Sequence, residues 1–218
     1  MKRSRTAKSR ISILAVVLFA NLLTVVNSNA ATGANNSFTQ LNICGATHKE
    51  ICKVGQIGPG GGTIFFVDYR DIYKGFNYFE VAPANWAGSL GVDPTAQWCS
   101  NINTKIETTL NSWTSRAVGI GISNSKTMLK NCSYGAANLI ADYNRNSRSK
   151  KKDWFLPSIG ELILLTANLQ GLAGLLVSDY WSSSGYSDIG GWGESVDHGY
   201  QGSAAKETLY HVRPIREF

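Results

Sequence analysis

The residues with the clearest potential for chemistry lie near the C-terminus, where DYWSSSGYSD (179–188) places three consecutive serines after a tryptophan. A serine nucleophile on a strand-to-helix elbow requires the spacing G-x-S-x-G, which this stretch lacks. Asp197 and His198 follow, but neighbouring residues of a strand point to opposite faces. The serines therefore fit hydrogen bonding to backbone groups at a strand end, beside a Trp181 that we predict to be buried.

Three carboxylates in the same region, Asp188, Glu194 and Asp197, raise two further chemistries. Paired carboxylates hydrolyse glycosides when they are about 5 Å or about 6.5–9.5 Å apart, and loop carboxylates bind calcium. The spacing fixes no such separation, and no EF-hand-like pattern is present. We predict no catalytic residue, metal site or cofactor, with calcium as the one metal that the acids suggest. A hydrolase using Glu194, Asp197 or His198 is the alternative.

The same segment has the composition of a recognition loop. From Gly185 to Gly199 it reads GYSDIGGWGESVDHG, with aromatic residues among serines and glycines. Tyrosine and tryptophan provide contact area at low entropic cost, while serine and glycine provide adaptable hydrogen bonding. Loops on a rigid scaffold commonly carry recognition. We predict one variable, ligand-binding loop, with these contact residues: Tyr186, Asp188, Trp192, Glu194, Asp197, His198 and Tyr200.

A second candidate contact is the basic run NRNSRSKKK (144–152). A solvated loop explains such a run, and the alternative is a patch for an anionic glycan or a cell-envelope polymer. The residues of this secondary basic patch are Arg145, Arg148, Lys150, Lys151 and Lys152.

The N-terminus has the layout of an export signal. MKRSRTAKSR carries five basic residues and no acidic one, and a run of sixteen mostly apolar residues follows. Ser28 and Ala30 occupy the small positions of a cleavage site, and the run is short for a membrane span of about 20 residues. We predict a signal peptide over 1–30, a flexible linker over 31–43 and one domain over 44–218.

Removal of the signal changes the meaning of the charge. The whole chain is formally +6, but without the five basic residues of the signal it has 16 basic against 15 acidic residues, or +1. The basic isoelectric point therefore belongs largely to the signal and indicates no nucleic-acid partner.

All four cysteines follow the predicted signal, and an even number in an exported chain indicates disulfides. Of the three pairings, we favour Cys44–Cys52 with Cys99–Cys132. The second would stabilise the fold by about 3–4 kcal/mol in the chain-entropy model. Zinc is disfavoured because no CxxC occurs and the histidines are scattered.

Local patterns predict the elements that must position these residues. β-Branched and aromatic runs indicate a hairpin over 63–82, and apolar spacing indicates a helix over 136–143. Ser158 lies three residues before Glu161, as in a capping box at a helix start. A closing strand contains Pro214, so we expect an edge or a bulge there.

Four ordered segments carry a resemblance to a known family. They are VGQIGPGGGTIFFVD (54–68), DWFLPSIGELILL (153–165), YWSSSGYS (180–187) and YHVRPIREF (210–218). Together they resemble the Lcl-type C-terminal domain family of bacterial exported proteins, over about residues 51–218.

The resemblance implies an α+β, C-type-lectin-like fold with short antiparallel strands, two or more helices and long ordered loops. Its first and last strands would be paired, and its shape would be related to the formylglycine-generating enzyme. It also suggests an ion pair between Glu161 and Arg213. The enzyme branch of this fold uses a C-terminal cysteine pair, whereas no cysteine follows Cys132 here.

These observations predict a secreted or envelope-associated, non-enzymatic binding or adhesion module. It would recognise a glycan or a cell-surface protein and would retain no membrane span after signal cleavage. The alternatives are the hydrolase above, acting on envelope or polysaccharide, and a purely structural envelope protein.

Overall fold

The computed structural model describes most of the predicted domain. The described residues are 51–88, 91–106, 108, 116–146, 149–169, 171 and 173–218. The predicted signal peptide, the linker and Cys44 lie outside these ranges and stay predictions. Among the described residues, no helix has both the length and the apolar character that crossing a membrane requires.

Within these ranges, three helices and eight strands form an α+β architecture. The helices are α1 (Gly121–Asn131), α2 (Ala136–Arg145) and α3 (Ile159–Leu169). The strands are β1 (Thr63–Val67), β2 (Tyr78–Val81), β3 (Thr95–Ala96), β4 (Asp179–Gly185), β5 (Gly190–Ser195), β6 (Tyr200–Ala205), β7 (Tyr210–His211) and β8 (Ile215–Glu217). The helix predicted over 136–143 is confirmed by α2.

A three-stranded antiparallel sheet has the order β1-β2-β8. The predicted hairpin is confirmed, with Thr63 opposite Val81 in the β1–β2 ladder. The first and last strands share this sheet, and β2 is hydrogen-bonded to both of them. Pro214 separates β7 from β8 where the chain passes between the two sheets, and β8 ends the strand order. Its outer side is not a free edge, because Ile215 exchanges two backbone hydrogen bonds with Phe155 (2.8 and 3.0 Å).

A five-stranded sheet has the order β3-β7-β4-β5-β6 and is antiparallel except between β4 and β7. Trp181 on β4 is fully buried, as predicted, and its indole Nε1 donates to the carbonyl of Ala96 (2.9 Å). Ser182 Oγ donates to the carbonyl of Trp192 (2.8 Å), and Ser184 Oγ accepts from the backbone N–H of Ile159 (3.1 Å). These two serines therefore satisfy backbone groups, as the sequence predicted.

The prediction of one variable loop over 185–199 is wrong. Six of its residues form β5, which is paired with β4 on one side and β6 on the other. The glycines that indicated a loop make room for aromatic rings instead, the buried ring of Trp98 and the partly buried ring of Tyr210. A Cβ at Gly191 would lie 2.7 Å from the Trp98 ring, and one at Gly193 would lie 3.1 Å from the Tyr210 ring.

The start of α3 is held by the predicted capping box. Ser158 N–H donates to Glu161 Oε2 (2.8 Å), and Glu161 N–H donates to Ser158 Oγ (3.2 Å). Glu161 Oε1 also accepts from the N–H groups of Gly119 (2.8 Å) and Gly121 (3.1 Å). The carboxylate thus joins α3 to the segment that leads into α1.

The suggested Glu161–Arg213 ion pair is wrong, because Arg213 pairs with the buried Asp93. Arg213 Nε lies 2.8 Å from both carboxylate oxygens of Asp93. Asp93 also accepts from Trp86 Nε1 (2.9 Å) and from the Tyr180 hydroxyl (2.6 Å). The Asp93–Arg213 pair could not be predicted from the four motif segments, because Asp93 lies outside all of them.

The core has two main parts. One lies beneath α1 and α2 around Trp98 and Trp181, and the other lies beneath α3 around Phe79 and Leu165. The predicted Cys99–Cys132 disulfide is confirmed and ties the end of α1 to the first part. Cys52 is buried and disulfide-bonded, while its predicted partner Cys44 is outside the described residues.

Candidate binding surface at the β4–β5 turn

Aromatic and cationic side chains come together beside the turn between β4 and β5. Tyr186, the first residue after β4, is 55% exposed. Its ring meets the half-buried ring of Trp192 edge-on, with centroids 5.2 Å apart and planes at 89°. The guanidinium carbon of Arg116 lies 4.5 Å from the Trp192 ring centroid. We call Arg116, Tyr186 and Trp192 the aromatic cluster.

The alternation of β5 explains why Trp192 faces this way. Side chains alternate between the two faces of a strand, and Gly191 and Gly193 face the rings of Trp98 and Tyr210. Trp192 and Glu194 therefore share the opposite face, which packs toward α3. Part of the Trp192 ring contacts that core, so the ring is held in one orientation.

A buried lysine fixes the turn beneath the aromatic cluster. Lys206 is fully buried, and its ammonium donates to the carbonyls of Asp188 (2.6 Å), Thr104 (2.7 Å) and Asn101 (3.3 Å). Burial lowers the pKa of Lys206, while the nearby charge of Asp188 acts in the opposite direction. The three carbonyls hold the charge in place and join the 101–104 segment to the turn.

An open depression of about 550 Å³ adjoins the turn. It is lined by Lys105, Tyr186, Ser187, Asp188 and Ile189. Among the residues that the structure describes, the charged ones that line the depression are Lys105 and Asp188. Arg116 lies beside Trp192 in the aromatic cluster. Sequence reasoning missed Arg116, Lys105 and Lys206 because they are distant in sequence from the turn and belong to no motif.

Glu194 contributes little free charge to this surface. It is 2% exposed, and its Oε1 accepts from the Thr166 hydroxyl of α3 (3.2 Å). Burial raises the pKa of Glu194, and hydrogen bonds from Gln201 and Thr166 lower it by less. Glu194 is thus placed to anchor β5 to α3 more than to meet a ligand.

The remaining predicted contacts lie at the other end of β5, around the β5–β6 turn. A strand of six residues spans about 20 Å, so Asp197, His198 and Tyr200 are well separated from Tyr186. His198 and Tyr200 lie side by side, with ring centroids 5.6 Å apart. The structure therefore divides the seven predicted contact residues between the two ends of β5.

Ser195, Asp197 and His198 form a hydrogen-bonded turn without the arrangement of a catalytic triad. Ser195 Oγ donates to Asp197 Oδ1 (2.8 Å) and lies 3.3 Å from His198 Nδ1. The same Asp197 oxygen lies 2.8 Å from His198 Nδ1. In a triad the serine bonds Nε2 while the acid holds Nδ1. Here the Ser195 hydroxyl and the Asp197 carboxylate both lie beside Nδ1 of His198. The hydrogen bond from Ser195 lowers the pKa of Asp197.

The three acids that suggested calcium do not converge. Asp188 precedes β5 and Asp197 follows it, while Glu194 is buried against Thr166. Within the described ranges, no three acidic, histidine or cysteine residues come together in a way that could hold a metal ion.

The predicted basic patch lies elsewhere. Arg145 ends α2 and pairs with Asp142, and α2 packs against β3. Two strands separate β3 from β5, which places them about 14 Å apart. Lys150 lies near Gly61, and Lys152 donates to the carbonyl of Asn146. Lys151 is partly buried, and Arg148 is outside the described residues. The structure does not bring Arg145 to the aromatic cluster.

No protein-family model and no curated protein matches this chain. Among solved structures, it is similar to a fimbrial protein from Bacteroides ovatus, with a TM-score of 0.50 and 15% sequence identity. The match covers 79% of this chain and 46% of the fimbrial protein, so the chain spans less than half of that protein's length. At this identity the similarity concerns the fold.

Proposed function

We propose that this protein is an exported, non-enzymatic binding module that attaches to a glycan or to a cell-surface protein through the aromatic cluster. The observation that carries the proposal is the contact of an exposed tyrosine, a half-buried tryptophan and an arginine at one turn. Tyrosine, tryptophan and arginine are the residue types that most often dominate binding energies at interfaces.

Export is supported by three independent features. The N-terminal sequence has the layout of a signal peptide. The Cys99–Cys132 disulfide is of a kind that persists in oxidising compartments outside the cytosol. The fold is similar to that of a bacterial fimbrial protein, which fits a surface module.

The resemblance to the Lcl-type family supports the same function. The two sheets, the helices and the shared sheet of the first and last strands fit the α+β arrangement that this resemblance implies. The C-type-lectin-like assignment and membership of the family remain part of the proposal. A module of this kind holds its ligand through a rigid frame and needs no bond-breaking residue.

Alanine variants of two exposed tyrosines test the proposal. Tyr186→Ala removes a cluster ring that is 55% exposed, and the control Tyr69→Ala removes one that is 69% exposed and belongs to the connection between β1 and β2. We expect Tyr186→Ala to cost about 2 kcal/mol, or roughly 30-fold in Kd, because truncated interface hot spots lose this much. Tyr69→Ala should bind as the wild type does.

Binding is measured on a glycan array and on intact bacterial cells, before and after protease treatment. Loss of cell binding after proteolysis identifies a protein ligand, and array binding identifies a glycan. Equal affinities of the wild type, Tyr186→Ala and Trp192→Ala would contradict the proposal. Turnover of an envelope polysaccharide that is abolished by His198→Ala in a folded protein would favour the hydrolase instead.

A further inference from the structure

We propose that a groove between α2 and β3 is a second ligand site, specific for an uncharged oligosaccharide. Two depressions of about 280 Å³ and about 320 Å³ lie along α2, and both are lined by Leu139 and Asp142. Because they share these residues, the two depressions adjoin along one side of α2, and together we call them the groove. This proposal is independent of the aromatic cluster, since α2 packs on β3, at the end of the sheet order away from β6.

The groove combines an apolar floor with a polar rim. Trp86, Leu139 and Tyr143 line one depression. Gln97, Asn138 and Tyr134 line the other, where Tyr134 is 58% exposed. Ligand sites in proteins commonly pair an apolar surface with a few placed polar groups. The exposed Tyr134 ring offers a flat surface for the apolar face of a sugar ring.

The charges along the groove favour an uncharged ligand. Asp142 and Arg145 are charged residues among those that line it, and they form an ion pair with each other. Among the lining residues that the structure describes, their mutual neutralisation leaves no net charge to select an anion or a cation. The remaining polar groups are mostly amides and hydroxyls, which donate and accept at once, as sugar hydroxyls do.

One rim residue retains an unused acceptor. Asn138 Nδ2 donates to the carbonyl of Cys132 (3.1 Å), which fixes the orientation of its side-chain amide. Its buried Oδ1 has no donor among the residues that the structure describes. Asn138 as a whole is partly exposed and lines the depression, so its fixed amide supplies a polar group at the rim although Oδ1 itself is enclosed by the protein.

The walls of the groove are fixed at both ends of α2. The Cys99–Cys132 disulfide lies just before the helix, and Ala136 N–H donates to the carbonyl of Gln97 (2.9 Å). Near the other end, Asn144 exchanges two hydrogen bonds with the backbone of Trp154 (2.7 and 3.2 Å). A preformed site loses less conformational entropy on binding.

The length of the groove indicates more than one sugar ring. Lining residues on α2 extend from Asn138 to Arg145. Seven steps along an α-helix rise by about 10 Å, which exceeds the width of a single ring. An oligosaccharide lying along the helix would contact the aromatic floor and the amide rim together.

The experiment is a titration of the full chain with a panel of uncharged trisaccharides (chitotriose, cellotriose and maltotriose) and with charged uronic-acid oligomers. NMR shifts of the side-chain amides of Gln97 and Asn138 report occupancy, and calorimetry gives Kd. We expect an uncharged member to bind and Tyr134→Ala to weaken it by about tenfold or more. The controls Tyr69→Ala and Tyr186→Ala should leave this Kd unchanged.

Three outcomes would overturn the proposal. The first is that no uncharged oligosaccharide shifts the groove amides. The second is that Tyr134→Ala binds as tightly as the wild type. The third is that a charged oligomer or a peptide occupies the groove more tightly than every uncharged sugar. If the aromatic cluster does not bind the surface ligand, Tyr186→Ala will have the wild-type affinity for that ligand, which is a separate result.

Discussion

Single buried ionisable residues serve in this protein as anchors for irregular backbone. Lys206 donates to three carbonyls, and Glu161 accepts from three backbone N–H groups. Arg213 donates to the carbonyls of Ala82, Ala173 and Gly174 in addition to its pair with Asp93. Connecting segments carry many backbone groups that need partners. Each buried ionisable group therefore fixes a segment that has no regular secondary structure.

Glu161 gives the stability of the protein a defined pH dependence. Burial raises the pKa of Glu161 to about 7, against an ordinary value of 4.5, although its three N–H donors act in the opposite direction. Between these values the folded state binds more protons than the unfolded state. The free energy of unfolding should therefore fall as pH rises from about 4.5 to about 7, by on the order of 3 kcal/mol.

Urea denaturation at several pH values measures this dependence. Burial also raises the pKa values of Glu80, Glu194 and Glu217, so their contributions have the same sign. Glu161→Gln does not titrate and should show a shallower decline over the window. A wild-type stability that rises from pH 5 to pH 7, or an equally steep decline in Glu161→Gln, would show that Glu161 is ionised throughout.

For individual residues, the sequence predicted the contacts between groups that are close together in the chain. Ser158 and Glu161 are three residues apart, so their capping box was visible in the sequence, and it is confirmed. The partners of Arg213 and Lys206 lie about 120 and 100 residues away, and only the fold determines which groups meet. The Glu161–Arg213 prediction failed for this reason, since it joined two motif residues without knowledge of the intervening chain.

Among the elements, β5 shows how composition can mislead. Its sequence GGWGES has too much glycine for an ordinary strand, because glycine is depleted in strands and favoured in turns. In β5, tertiary packing outweighs this preference of glycine for turns. Trp98 and Tyr210 occupy the space that side chains at Gly191 and Gly193 would need. The turns on either side of β5 do lie where the loop was predicted, so the error concerns Gly185, which ends β4, and the residues of β5.

Alanine substitutions on adjacent strands test this explanation. A Cβ at Gly191 would lie 2.7–2.8 Å from three atoms of the Trp98 ring, which is fully buried and has little room to move. Gly191→Ala should therefore destabilise the protein by about 1–3 kcal/mol, as overpacking does. At Gly202 on β6, the nearest atom to a new Cβ is 3.8 Å away.

Gly202→Ala is thus the matched control, and we expect it to be neutral or slightly stabilising because alanine lowers the entropy of the unfolded chain. Thermal and urea unfolding of the two variants give the comparison. If Gly191→Ala is as stable as Gly202→Ala, the glycine is not required by Trp98 and the segment has the freedom of a loop.

For the molecule as a whole, the C-terminal segment unites the two sheets. β7 pairs within the five-stranded sheet, β8 pairs within the three-stranded sheet, and Arg213 between them bonds to Asp93. The binding surface and the groove are supported by different parts of this frame, β4–β5 and α2–β3. Sequence patterns indicated most of the elements, but not which edge of which sheet each would occupy, because that depends on long-range pairing.

The Cys99–Cys132 disulfide acts on this frame mainly by restricting the unfolded chain. The two cysteines are 33 residues apart, and closing a loop of that size stabilises a fold by about 3–4 kcal/mol in the chain-entropy model. Cys99→Ala with Cys132→Ala should lose about this much, measured by urea denaturation. The double variant is preferable to chemical reduction, because Cys52 is also disulfide-bonded and reduction would break both bridges.

Local hydrogen bonds should preserve the groove in the double variant. The Ser133 backbone N–H donates to Ser100 Oγ (2.8 Å), and Ala136 N–H donates to the carbonyl of Gln97, so the start of α2 keeps two other links to the segment 97–100 that follows β3. We therefore expect a large loss of unfolding free energy with little change in the NMR shifts of the Asn138 amide. A variant that unfolds at the wild-type urea concentration would refute the entropic role. Conversely, altered groove shifts would show that the disulfide also positions α2.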